Sequence, residues 1–219
     1  MKNLTEAVKS AKVHILGQVA IQYKTPKDII NELNSIYDDR HKETLLWKDH
    51  LVGKIKKQYA IYSQSVLTPK ENKNNLLSQK VIQFFKDTSL HYLKLSGQTV
   101  RQYKLCTVWI NEMEEHEYNP IHTHEGDSLY GLSSVMFLKL PKEYGTEITR
   151  ENVPRNGRLQ LIANSNGQFA SSNILPDMNE GDFWIFPYDV RHCVYPFTGN
   201  EIRRTLSANF DVDIATICK

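Results

Sequence analysis

From Leu105 to its end the chain breaks into short β-rich segments. LCTVWIN, PIHTH, LSSVMFLKL, RLQLIA, FASSNIL, DFWIFP, HCVYPF and RRTLSANFDV are parted by EGD, PRNG, NSNG, NEGD and TGNE, all turn-forming stretches. This rhythm constrains the fold more than any other feature. Connections this short join antiparallel neighbours and leave no room for the helical crossovers of a parallel sheet. The expectation is a mainly β architecture of two facing antiparallel sheets, a jelly roll or double-stranded β-helix. Strands that close over a core in this way leave a mouth at one end, where a metal and a small ligand can sit.

The first hundred residues read differently, as a helical or mixed support for a core spanning 101–219, the whole being one domain of 219 residues. Thr25-Pro26, with Asp28, Ile29, Ile30, Leu33 and Ile36 after it, predicts a helix with Thr25 as its cap. Leu76 to Leu95 predicts a second, with Leu77, Val81, Phe84, Phe85, Leu90 and Leu93 on its buried side. Val13 to Tyr23 suits an edge strand, TPKENKNN (68–75) an exposed loop, and LVGKIKKQYAI a hairpin-like or loop segment without clear period. Lys and Arg number 27 against 25 Asp and Glu, a net charge of +2, too small to draw the chain onto duplex nucleic acid or an anionic membrane. The start lacks a run of signal-peptide length, and no stretch approaches the roughly 20 apolar residues of a membrane span. Cys106, Cys193 and Cys218 are odd in number and widely spaced, which suits a reducing, cytoplasmic setting rather than a disulfide framework.

Among eight histidines, His14, His41, His50, His91 and His116 have no partner at useful spacing. His122 and His124 differ, because an i, i+2 pair on a strand projects both rings from one face. Alone, such a pair also occurs as ordinary polar lining. The segment GDFWIFP (181–187), with His192 five residues past Pro187, changes the reading by supplying the third ligand of a facial site. Eleven residues on stands Arg203, sharing a strand face with Thr205 and Ser207, while Arg204, Leu206 and Ala208 share the other. A guanidinium inside a barrel needs an anion, and Arg203 with its hydroxyl neighbours makes a carboxylate receptor. The plainer reading leaves it in solvent or paired with Glu201.

These residues resemble the Fe(II)- and 2-oxoglutarate-dependent oxygenases, most nearly the branch with an NPxHxH first motif found in bacteria and marine bacteriophages. The resemblance rests on 109–141, which contains NPIHTH, and on 181–212, with HLVGKIKKQYAI also similar. It implies a double-stranded β-helix in which His122 and His192 bind Fe(II) and Arg203 pairs with the distal carboxylate of 2-oxoglutarate. O2 and 2-oxoglutarate would be consumed in hydroxylating a C–H bond of a small molecule or peptide, with a prolyl residue in a peptide suggested by fold-level analogy. One departure stands out: the wider family has His-x-Asp or His-x-Glu where this chain has His124. Alternation favours His124 as third ligand, whereas the missing anionic ligand favours Asp127 or Glu125. Trp109 and Asn111 are candidates for pocket lining or for packing and a capped turn, and Tyr130, Ser134 and Tyr195 for contact with cosubstrate or substrate.

Two other classes fit parts of the pattern. A cupin metalloenzyme without 2-oxoglutarate shares the spacing from Gly181 through Pro187 to His192, but lacks a glycine six residues before His122 and a glutamate three or four after His124, and leaves Arg203 without a role. A non-enzymatic jelly-roll binding or structural module needs none of the histidines. Oligomeric state has no signature in the sequence.

Overall fold

In chain order the protein forms β1 (Ile21–Lys24), α1 (Lys27–Arg40), β2 (Leu45–Leu46), β3 (Lys57–Ser63), α2 (Gln79–Leu95), β4 (Val100–Met113), β5 (Asn119–His122), β6 (Gly131–Lys139), β7 (Leu159–Ile162), β8 (Asn173–Ile174), β9 (Asp182–Pro187), β10 (Arg191–Val194) and β11 (Arg203–Ile214). These elements come from a computed structural model that describes residues 17–40, 45–46, 52–65, 75–146, 155–164, 167–168 and 171–215. Seven strands make a major antiparallel sheet in the order β1-β9-β6-β11-β4-β3-β2, and four make a minor sheet in the order β5-β10-β7-β8. The expected pair of facing antiparallel sheets, a double-stranded β-helix, is the observed architecture.

Period 2 divides the major sheet into two chemical faces. Along β11, Leu206, Ala208 and Phe210 point to the side where α1 and α2 lie, and join Val108 and Ile110 of β4, Met136 and Leu138 of β6 and Phe183 and Ile185 of β9 in one core. The helices supply Ile29, Leu33, Ile36, Val81, Phe85 and Leu93. Phe85 packs at 5.7 Å from Phe183 and 6.0 Å from Phe210, aromatic contacts each adding about 0.5–1.5 kcal/mol beyond area burial. The opposite face meets the minor sheet through a second core containing Met113, Val135, Phe137, Leu159, Leu161, Phe186 and Phe197. The pocket lies within this second layer.

The helix-facing layer holds a buried ion pair, Arg204 with Glu112. Arg204 donates from Nε and Nη2 to Glu112 Oε2 at 3.1 and 2.7 Å, from Nη1 to Asn34 at 2.8 Å and from Nη2 to Asp38 at 2.7 Å. Its guanidinium lies 4.1 Å from the centroid of the Tyr37 ring. The result ties β11 and β4 to α1 with all three guanidinium nitrogens hydrogen-bonded, the condition under which a buried ion is tolerated.

Several sequence expectations need correction. The second helix begins at Gln79, not Leu76, because Ser78 is its cap: Ser78 Oγ accepts from Val81 N at 3.3 Å and donates to Glu32 of α1 at 3.0 Å. Thr25 does not cap α1, since its hydroxyl is buried without a partner and the Pro26 carbonyl closes the first turn through the Ile29 and Ile30 amides. LVGKIKKQYAI is not a loop in its second half, which is β3. Its period was obscured because an inward position is polar: Gln58 is buried and donates to Asn111 Oδ1 at 2.9 Å. The first hundred residues thus contribute β1, β2 and β3 to the major sheet as well as the helices. The edge strand near Tyr23 exists but spans Ile21–Lys24, paired with β9. Residues 13–16 and 68–74 lie outside the described residues; Asn75 bridges to Tyr62. Among the described residues, no helix is long and apolar enough to cross a membrane.

Arg204→Ala would break the buried pair with Glu112, leaving that carboxylate with Lys57 Nζ at 3.3 Å. Removing one partner of a buried pair costs about 3–5 kcal/mol, and denaturant unfolding of the variant is expected to show a loss of that size.

Candidate functional site

The pocket opens on the inner face of the β4–β11 pair, whose register aligns Ser207 with Trp109, Thr205 with Asn111 and Arg203 with Met113. All six line the cavity, together with Ile55, Asn119, Val135, Leu159, Val194 and the three histidines at 122, 124 and 192. The expected inward set of Arg203, Thr205 and Ser207 therefore shares one wall. Trp109 and Asn111 face the pocket as well.

His122 is the last residue of β5 and lies directly opposite His192 of β10 in the minor sheet. His124 arrives by a different route from the one that strand alternation suggested. β5 ends at His122, and His124 sits in the following loop, where its amide donates to the Tyr188 carbonyl at 3.0 Å. The ring nitrogens of the three histidines come within 4.8 Å of one another. His124 Nε2 and His192 Nε2 are 3.1 Å apart, a separation that subtends roughly a right angle at an ion about 2.1 Å from each.

The backbone fixes which nitrogen each strand histidine presents. His122 Nδ1 lies 2.8 Å from the Pro120 carbonyl and His192 Nδ1 lies 3.0 Å from the Val190 carbonyl, in both cases two residues back. A carbonyl only accepts, so each Nδ1 carries the proton and each Nε2 keeps its lone pair for a cation. Burial lowers the His122 pKa, holds His192 down to about 3 with help from His122, and pushes His124 well below the usual imidazole range, with His192 and His122 adding to the effect. All three rings are thus neutral near pH 7, the state that ligates metal. Phe186 stands edge-on to His192 at 4.9 Å, and the Trp109 ring lies 5.9 Å from His124.

The carboxylates weighed as alternatives are elsewhere. Glu125 is exposed. Asp127 accepts from Lys104 Nζ at 2.6 Å and Ser65 Oγ at 2.5 Å, in a separate cluster with Cys106 and Asp211. That cluster anchors the loop bearing His124: Tyr188, whose carbonyl receives the His124 amide, donates its hydroxyl to Asp211 at 3.0 Å, and a Cβ on Gly131 would fall 1.9 Å from the Tyr188 ring. Ser134 bonds to the Ala208 carbonyl on the helix-facing side, Tyr195 bonds to Gln160 at 2.5 Å, and Tyr130 is exposed, so none of these three reaches the pocket. Sequence reading missed the role of Tyr188 and Gly131, for which the chain offers no local motif.

At the other end of the pocket lies Arg203, 1% exposed, with no ion pair among the described residues. Its Nη1 meets only the Met113 sulfur at 3.6 Å, its plane rests 5.4 Å from the Phe137 centroid, and Nε and Nη2 have no partner. Burial lowers its pKa to about 10. The suggested pairing with Glu201 is absent; that carboxylate accepts from the Lys142 amide at 2.6 Å. A buried, unpaired guanidinium facing a cluster of neutral imidazoles suits a ligand that carries a carboxylate at one end and chelates a metal at the other.

Comparison with known proteins gives a consistent picture. Residues 107–209 match a family model described as "Putative 2OG-Fe(II) oxygenase". No curated protein matches the chain in sequence. A Pseudomonas putida prolyl-4-hydroxylase is similar with TM-score 0.55 at 12% identity, over 95% of this chain and 97% of that one. A 2OG-Fe(II) oxygenase family oxidoreductase from Burkholderia pseudomallei gives 0.56 at 13%, over 96% and 89%. A Trichoplax adhaerens prolyl hydroxylase, in complex with a hypoxia inducible factor oxygen degradation domain peptide fragment, gives 0.54 at 12%, over 89% and 83%. At such identities the three structures speak for the fold.

Gly131→Ala should force the Tyr188 ring aside and so loosen the loop carrying His124. Overpacking of this kind costs about 1–3 kcal/mol, and a thermal scan of the variant is expected to show a lower Tm.

Proposed function

We propose that the chain is an Fe(II)- and 2-oxoglutarate-dependent oxygenase, a reading supported by the family model over residues 107–209, that His122, His124 and His192 hold the Fe(II), that Arg203 with Thr205 and Ser207 receives the distal carboxylate of 2-oxoglutarate, and that the hydroxylated C–H bond belongs to a peptide, with a prolyl residue as the leading candidate. The observation that carries this reading is the pairing, in one pocket, of three converging neutral imidazoles with a buried guanidinium that has no anion among the described residues. A cupin without 2-oxoglutarate leaves that guanidinium unexplained, and a structural module leaves both ends unexplained.

Fe(II), with 2-oxoglutarate and O2, supplies the oxidative decarboxylation that drives hydroxylation and releases succinate and carbon dioxide. The chain's residues contribute position and exclusion. The Pro120 and Val190 carbonyls hold the His122 and His192 rings so that Nε2 faces the site. Arg203, desolvated against Phe137 and Met113, offers a fork that fixes the far end of the cosubstrate, and low polarity around it strengthens each contact. Trp109, Val135, Leu159 and Phe186 wall the site with apolar surface and keep water from the reacting C–H bond. Gln58 takes up the Asn111 carbonyl oxygen, which turns the Asn111 amide nitrogen toward the cavity as a donor.

Support for a peptide comes from two directions. Two of the structural neighbours are prolyl hydroxylases, one of them with a peptide fragment bound. In addition, Tyr118 and Ile121 on either side of Asn119-Pro120, Val52 near Tyr118, and Leu129 and Tyr130 after the HxH motif are exposed large apolar side chains in the segments that flank the site. Apolar surface of this extent beside a pocket suits an extended ligand better than a free amino acid.

Removing a ligand should exceed the 10- to 100-fold loss typical of altering a residue behind one. His192→Ala and His124→Ala are therefore expected to lower Fe(II) affinity by more than about a hundredfold, whereas Asp127→Ala keeps it within about tenfold; metal titration with anaerobic protein reads both, and loss of iron in Asp127→Ala alone would restore a carboxylate ligand.

Arg203→Ala should weaken 2-oxoglutarate by roughly two to three orders of magnitude, the equivalent of about 3–5 kcal/mol. With wild-type protein, proline-containing peptides are expected to raise succinate formation above the level seen with free amino acids or metabolites. Equal stimulation by free proline would overturn the peptide assignment.

A further inference from the structure

Apart from the three histidines, a second set of metal-ligating side chains converges beside the loop that carries His124. Cys106 Sγ and one carboxylate oxygen each of Asp127 and Asp211 lie within 4.8 Å of one another. They come from three segments: β4, the loop between β5 and β6, and β11. A β-bulge delivers the cysteine. Asn209 pairs with Thr107 and Phe210 with Leu105, so Cys106 is an extra residue in β4. Leu105 and Val108 both pack in the helix-side core, and the two residues between them, Cys106 and Thr107, turn to the other face together, the re-aiming that a bulge provides. Asp211 lies between Phe210 and Val212 of the same core and points that way as well.

The cluster is buried and short of positive charge. Cys106 is 2% and Asp211 3% exposed. Asp211 Oδ1 accepts from the Tyr188 hydroxyl at 3.0 Å, while Oδ2 is buried with no hydrogen-bond partner among the described residues. Asp127 accepts from Lys104 Nζ at 2.6 Å and Ser65 Oγ at 2.5 Å, and the Cys106 thiol meets the Lys104 carbonyl at 3.6 Å. One ammonium therefore serves two carboxylates, although buried charges are as a rule paired or bound to metal. A water at Oδ2 would donate a hydrogen bond but bring no charge. A divalent cation brings the charge and makes use of the thiol. Burial, and next to it Asp211, pushes that thiol up to about 12, so it keeps its proton until a cation displaces it to solvent. The thiolate and two carboxylates, less the Lys104 charge, then balance a dication.

We propose that Cys106, Asp127 and Asp211 form a second metal site, for a borderline-soft divalent cation of the zinc class, with water at the fourth position. Calcium and magnesium take oxygen ligands and have no use for the sulfur, whereas zinc accepts sulfur and carboxylate oxygen together. The site stands independently of the assignment of the histidines. Its ion would cross-link β4, β11 and the β5–β6 loop. It would also fix Asp211, which holds the Tyr188 hydroxyl, and Tyr188 in turn receives the His124 amide on its carbonyl.

The test is titration of reduced, metal-free protein with Co2+, followed by Zn2+ competition. Cobalt on a thiolate gives a near-ultraviolet charge-transfer band that imidazole ligands do not, so one spectrum tells the two centres apart. Wild type is expected to show this band and to lose it when Zn2+ is added. His192→Ala should keep it, and Zn2+ should raise the Tm of that variant, as a ligand of the folded state does. Cys106→Ser should abolish the band and that Zn2+-induced rise when combined with His192→Ala. Asp211→Asn retains an oxygen for the Tyr188 hydroxyl and is expected to weaken Co2+ at this site by more than about tenfold. No thiolate band in wild type at saturating Co2+ overturns the proposal and leaves a hydrated polar network in its place. A band that survives in Cys106→Ser also overturns it by assigning the metal to another cysteine. Since the wild-type spectrum decides first, a variant that fails to fold does not protect the proposal, and neither negative result bears on the histidine site.

Discussion

The pairing of β4 with β11 is the constraint on which the molecule turns. These strands, of 14 and 12 residues, sit at the centre of the major sheet and run antiparallel in nearly continuous register. Because successive side chains point to opposite faces, the pair sends Trp109, Asn111, Met113, Arg203, Thr205 and Ser207 to the pocket and Val108, Ile110, Leu206 and Ala208 to the helices. One set of backbone hydrogen bonds therefore positions the ligand wall and the core that supports it. The two arginines make the division plain. Arg204 has all three guanidinium nitrogens hydrogen-bonded and joins sheet to helix, while its neighbour Arg203, on the other face, has no anion among the described residues.

What the sequence reveals follows from the same alternation. The strands from β4 onward are legible because their apolar periodicity and turn residues are local properties, and alternation alone gives Arg203, Thr205 and Ser207 a common face. His122 and His192 were legible through spacing on strands that oppose one another. β3 was not, because Gln58 is a polar residue at an inward position, and its satisfaction by Asn111 is a tertiary fact. Thr25 misled for the converse reason, since a good capping residue lost its role when the chain was drawn against the Gly181 carbonyl. His124 was assigned to the pocket by period 2 although it lies beyond the strand end. What brings it there is the contact with the Tyr188 carbonyl, an interaction no spacing rule contains.

The loop between β5 and β6 shows how little freedom that contact leaves. Its Asp127 is drawn away from the histidines by Lys104 and Ser65 while Glu125 is exposed, and Gly126, with Gly131 at the start of β6, is required where Asp211 and Tyr188 approach so closely that a methyl group would collide. Charge and shape thus combine to leave only imidazoles at the centre. With no carboxylate among them, an Fe(II) held as proposed would have its charge balanced by exogenous ligands, which would place more weight on an anionic cosubstrate than in a two-histidine, one-carboxylate site.

The carbonyls of Pro120 and Val190 have a further consequence for how the site tolerates change. In many metal centres the atoms that orient the ligating rings belong to other side chains, so that a substitution behind the ligand misaligns it. Here the orienting atoms for His122 and His192 belong to the main chain two residues back. Most replacements at those positions would leave the carbonyl where it is. The aim of the two rings is therefore inherited from strand geometry itself, and drift in the surrounding sequence can alter the walls of the pocket and what they recognise while the centre keeps its alignment.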